Sequence, residues 1–132
     1  MRVAGSIVNA DSVEYWKAAS EGQLLFQKCL ACGAVQFPPR HHCATCWKGE
    51  LEWIKSGGMG VVESFTIVRR PPLPELHDMA PYVVASVIVE EGPRMITNII
   101  GNGSLDVQIG DPVMVTFCDD GAGHALPQFR RT

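Results

Sequence analysis

Cys29-Leu-Ala-Cys32-Gly33-Ala-Val-Gln-Phe-Pro-Pro-Arg40-His41-His42-Cys43-Ala-Thr-Cys46 is the stretch on which the fold turns. Two Cys-x-x-Cys pairs stand ten residues apart in it. Two-residue spacing lets both thiolates of a turn reach one ion at about 2.3 Å, and four thiolates suit tetrahedral Zn²⁺. Cys29, Cys32, Cys43 and Cys46 therefore read as the ligands of one structural Zn²⁺ per chain, in a closed shell with no position left for substrate. Gly33 suits the turn after the first pair. The same four thiolates would also take rubredoxin-type iron, and a redox dithiol is a third reading. His41 or His42 could replace one thiolate, but the cysteines already complete the set. A module this small needs the metal in order to fold.

Before the first pair, Asp11 stands three residues ahead of Glu14 and opens a segment that runs to Glu21 and meets Gly22, predicting a short capped helix. Tyr15, Trp16 and Ala19 would form its apolar face. From Gln23 the pattern shifts to the short strands and turns of a metal knuckle, with Val35-Gln-Phe37 as one strand. Gly57-Gly-Met-Gly60 marks a boundary, giving a helix and zinc ribbon over 1–57 and a second module over 58–132. Five strands are predicted there: Val61 to Arg69, Tyr82 to Glu90, Arg94 to Ile100, Val113 to Cys118, and Ala125 to Arg130. Glu91-Gly-Pro93 makes a hairpin, while Pro71 to Pro81 and Gly101 to Pro112 are connections without a helical period. Five antiparallel strands in so short a stretch bury one face and remove their edges as a Greek-key barrel of the OB type. The fold class is mainly β: helix, rubredoxin-like ribbon, then a five-stranded OB barrel.

The chain has 132 residues, 46% hydrophobic, with a net charge of -3. The first 57 residues carry six basic and five acidic side chains, the remainder five and nine. That balance, with a pI near 5.7, disfavours duplex binding, which usually needs a basic excess. A single-stranded nucleic-acid module is the competing reading, since ribbons and OB folds both support it. No apolar run approaches the roughly 18 residues of a spanning helix, and Met1 to Ala10 shows no secretory core, so the expectation is a cytoplasmic protein without a membrane partner. Cys118, on a strand whose other face carries Val113, Val115 and Phe117, reads as packing. His77 and His124 read as loop residues. No nucleophile elbow, phosphate loop or dinucleotide fingerprint occurs. What remains is a set of arginines beside apolar and proline-rich segments, able to hold phosphates bidentately.

The run Cys29 to Arg40 followed by Cys43-x-x-Cys46 resembles the signature of the DUF35 family. Phe65-Thr-Ile-Val-x-Arg70-Pro-Pro, Pro81-Tyr-Val-Val-Ala85, Glu91-Gly-Pro-Arg94, Thr97-Asn-Ile-Ile-Gly101, Ile109-Gly-x-Pro-Val113 and Leu126-Pro-x-Phe-Arg130 follow its pattern in order. Ala44 stands where many relatives have proline. The resemblance implies a non-catalytic accessory or scaffold subunit of a thiolase-type, aldolase or hydratase complex that assists acyl-CoA binding. The partner enzyme would hold the catalytic groups. By matching position, Arg40, Arg70, Arg94 and Asn98 are the candidate CoA contacts.

Overall fold

Alternating apolar residues decide most of the architecture. The computed structural model describes residues 9–119 and 123–132. Most of the Met1 to Ala10 leader reading falls outside those residues. The helix α1 (Val13–Ser20) is followed by β1 (Leu25–Cys29), β2 (Val35–Gln36) and β3 (Leu51–Lys55). Then come β4 (Met59–Val68), β5 (Tyr82–Val89), β6 (Arg94–Ile100), β7 (Pro112–Asp119) and β8 (Ala125–Arg131). No helix among the described residues is long and apolar enough to cross a membrane.

α1 ends as the sequence predicts. Gly22 takes φ 77°, and the Gly22 and Gln23 amides donate to the Ala19 and Ala18 carbonyls, the paired bonds of a glycine-terminated helix. Its start differs from the predicted cap. Ser12 N–H donates to Asn9 Oδ1 and Asn9 N–H to Ser12 Oγ, both at 3.0 Å. Asp11 turns away to His41, because a reciprocal Asn–Ser turn already serves that end. Tyr15, Ala18 and Ala19 are the buried face, with Trp16 half-buried and edge-on to Tyr15. The helix packs against β1 and β8.

β1 is the centre of a three-stranded antiparallel sheet ordered β2-β1-β3. β3 is an addition to the strands predicted from sequence. Its Leu51, Trp53 and Ile54 are partly buried while Glu52 and Lys55 are exposed, and Glu52 lies opposite Lys28 of β1.

The remaining five strands close into a barrel ordered β4-β5-β6-β8-β7, and their ends fall within two residues of the predicted ones. β4, β5 and β6 form a meander, β7 and β8 a hairpin, and a short parallel pairing of β6 with β8 joins the two. β4 meets β7 at Gly60 opposite Val113. A Cβ on Gly60 would stand 2.6 Å from Val87 Cγ1 and 3.1 Å from the Ile88 carbonyl oxygen, so the packing of β4 on β5 demands glycine there. Val62, Val83, Ala85, Val87, Val89, Met95, Ile99, Val113 and Phe129 fill the barrel. Tyr15, Leu24 and Phe26 carry the same apolar cluster into the helix and ribbon.

Candidate metal centre

Cys29 ends β1, and its amide donates to the Ala34 carbonyl while Gly33 N–H returns to the Cys29 carbonyl. The second pair repeats this turn: Cys43 N–H donates to the Lys48 carbonyl and Trp47 N–H to the Cys43 carbonyl. Two like knuckles thus face each other. The Cys29 and Cys46 sulfurs are 3.6 Å apart, as are those of Cys32 and Cys43. All four Sγ atoms lie within 4.8 Å of one another. A tetrahedron with metal–sulfur bonds of about 2.3 Å places its sulfurs about 3.8 Å apart, so the four cysteines fit one ion. His41 and His42 are outside this cluster.

Backbone amides tune the sulfurs. Cys46 N–H donates to Cys43 Sγ at 3.4 Å, and Thr45 N–H does so at the same distance. The Cys46 amide, against the cost of burial and helped by Thr45, brings the Cys43 thiol down to about 6. Cys32 N–H acts likewise on Cys29 and lowers its thiol. Both sulfurs are thereby biased towards the thiolate that binds metal.

The two turns differ at one place. The residue after the second cysteine pair has φ 65° and is Trp47, where the first knuckle has Gly33 at 77°. A left-handed conformation costs a side-chain-bearing residue about 1–2 kcal/mol. The indole is 78% exposed, so little packing offsets that cost. Trp47→Gly is therefore expected to stabilise the chain by about 0.5–1 kcal/mol, after the extra chain entropy of glycine. A chemical-denaturation midpoint checks this, and an unchanged or lowered midpoint would contradict the strain.

The four candidate CoA contacts do not form one cluster. Arg40 lines a cleft of about 360 Å³ beside the second knuckle with Asp11, His41, His42 and Trp47. Arg70 is exposed just beyond β4. Arg94 opens β6 and forks onto Glu63, Nε to Oε2 at 2.5 Å and Nη2 to Oε1 at 2.7 Å. Glu63 occupies a β-bulge between Val62 and Ser64. Arg94, then the Ser86 hydroxyl, hold its carboxyl below the usual carboxylate range. Asn98 donates to the Val83 carbonyl and accepts from Gln128 Nε2. Register puts Val68, just before Arg70, opposite Tyr82 of β5 and Arg94 opposite Ile88. Those two points are about 20 Å apart along the strand.

Known proteins match along nearly the whole chain. The rubredoxin-like zinc ribbon domain of ChsH2 matches residues 16–52 and the C-terminal OB-fold domain of ChsH2 matches residues 53–118. A DUF35 domain-containing scaffold protein of Methanothermobacter thermautotrophicus is 38% identical over 109 residues, 81% of each chain. The probable enoyl-CoA hydratase alpha subunit of Thermomonospora curvata is 32% identical over 123 residues, 93% of this chain and 38% of that protein. This chain thus spans little more than a third of that relative. Among solved structures, a chain of the Ltp2-ChsH2(DUF35) aldolase superposes with a TM-score of 0.84 at 31% identity, covering 96% of this chain and 98% of that one. The paired knuckles, the barrel order and these matches agree that the chain belongs to the DUF35 family, in its form that joins a rubredoxin-like zinc ribbon to an OB fold.

Proposed function

We propose that this chain is a non-catalytic accessory or scaffold subunit of a thiolase-type, or related aldolase or hydratase, enzyme complex in the cytoplasm, where it assists the handling of acyl-CoA thioesters. The observation that carries this reading is the fit, over 96% of its length, to the DUF35 chain of an aldolase assembly. A relative named as a scaffold protein and another named as a hydratase alpha subunit point the same way.

The cysteine shell is assigned structural Zn²⁺, which when bound cross-links the two knuckles and leaves the chemistry to the partner. Arg40 and Arg70, both exposed, are the cations best placed to meet phosphate groups of CoA. Arg94 has two guanidinium donors engaged by Glu63, and Asn98 is tied into the barrel wall. Their proposed part in binding is to shape the surface.

The test is an affinity purification of the tagged chain from its native lysate, with partner identification and metal analysis of the same eluate. The expected result is a stoichiometric thiolase-type, aldolase or hydratase enzyme and one zinc per chain. That enzyme's turnover of a CoA thioester should fall when the chain is omitted. Recovery of the chain alone, or tight and salt-sensitive binding of single-stranded oligonucleotide, would overturn the reading.

A further inference from the structure

Gln27 of β1 and Gln36 of β2 are direct cross-strand partners, so their side chains leave the sheet on one face. Gln27 is only 5% exposed. A buried amide must find partners or destabilise the fold, and here they are Gln36 and the backbone leading into the second knuckle. Gln36 Nε2 donates to Gln27 Oε1 at 2.8 Å and to the His42 carbonyl at 3.2 Å. Gln27 Nε2 donates to the Arg40 carbonyl at 2.9 Å, and Arg40 N–H donates back to Gln27 Oε1 at 2.8 Å. Ala44 N–H donates to Gln36 Oε1 at 2.9 Å. Each oxygen and nitrogen of the two side-chain amides is thereby engaged.

The positions of these bonds matter. The His42 carbonyl and the Ala44 N–H belong to the two peptide groups that flank Cys43, so one glutamine side chain grips the backbone on both sides of a metal ligand. Cys29 needs no such grip, since it sits in β1 and is in register with Leu51 of β3. Residues 37–50, which carry Cys43 and Cys46, contain no strand or helix. Their own turn bonds are local, and the Leu30 N–H to Glu50 carbonyl bond ties down only the far end. The His41 contact with Asp11 reaches the start of the helix, and its imidazole is 73% exposed.

We propose that Gln27 and Gln36 are the positioning residues of the metal centre, a two-amide clasp that holds the second knuckle at the distance the first one requires. In the folded ribbon the clasp keeps Cys43 beside the first knuckle and slows the knuckle's departure once metal is bound. This rests on the cysteine shell holding a metal, as assigned above.

The experiment uses the full chain loaded with Co²⁺, whose thiolate absorption reports tetrahedral geometry, and with Zn²⁺, followed by transfer to a chromogenic chelator. Gln36→Leu and Gln27→Leu should release metal at least about tenfold faster, as supporting residues around metal ligands usually do when lost, and should alter the cobalt spectrum. Gln36→Asn retains an amide but is one methylene too short to reach both flanking peptides, and it should shift both readouts in the same direction. It also decides the matter should the leucine variants fail to fold. Glu52→Gln, on the exposed face of β3, should leave release unchanged. Glutamine variants with the parent's spectrum and release rate would overturn the clasp alone. A parent chain that takes up neither ion in a thiolate site would end the metal assignment and the clasp together.

Discussion

Cys29→Ser is expected to abolish metal binding and to unfold the ribbon. Cys29 is 1% exposed, ends the central strand β1, and pairs there with Leu51. A serine hydroxyl is a poor ligand for Zn²⁺ and would leave a polar group in an apolar place. The larger loss is the ion. Structural zinc contributes about 10–16 kcal/mol of apparent binding free energy in small modules, and that energy is folding energy. The ribbon has little to replace it, because β2 is two residues long and 37–50 form no sheet. Metal content should fall from one equivalent to none, and hydrogen exchange over β1, β2 and β3 should become fast. Phe26, buried at the junction with the barrel cluster, should transmit part of the loss to barrel stability. Retained metal together with protected ribbon amides would refute the structural role of the cysteine shell.

The sequence made the four-cysteine cluster and the barrel strands legible because both follow local rules. Ligand spacing is a property of one turn, and strand ends follow β-branched runs interrupted by glycine and proline. What escaped depends on distant neighbours. Gln27 looks like an ordinary outward residue between Phe26 and Lys28, and only the fold brings Gln36 and the Arg40 backbone around it. Arg94 has the right chemistry for a phosphate ligand, yet the bulge at Glu63 supplies a carboxylate that no spacing rule foretells. β3 was hidden by its Trp53-Ile54 step, which interrupts simple alternation. The distance from Asp11 to Glu14 points to Asp11 as the helix cap, whereas Asn9 and Ser12 satisfy each other and leave Asp11 to His41. Trp47 violates the preference for glycine at positive φ that Gly33 obeys, so the left-handed residue that the two knuckles share is visible only in the backbone.

Phe129→Ala is the substitution expected to weaken the barrel most. Phe129 is fully buried on β8 and lies opposite Ile99 on one side and Val115 on the other. The first of those pairings belongs to the short parallel contact through which the meander and the hairpin close. Truncating a buried phenylalanine costs about 3–5 kcal/mol, from lost transfer energy and the cavity that remains. Relaxation is limited here, because Ile99, Val83 and Val113 around the barrel are themselves buried and protein interiors are close-packed. A domain of this size has a total stability of about 5–15 kcal/mol, so the variant should unfold at a much lower denaturant concentration or be partly unfolded in buffer. Ile96→Ala on β6 is the matched control: that side chain is 71% exposed, and its loss should change stability by no more than about 0.5 kcal/mol. A Phe129→Ala cost below about 1 kcal/mol would mean that the β6–β8 contact does not close the apolar core. The two halves of the barrel would then be held by the β4–β7 pairing, in which Gly60 stands opposite Val113.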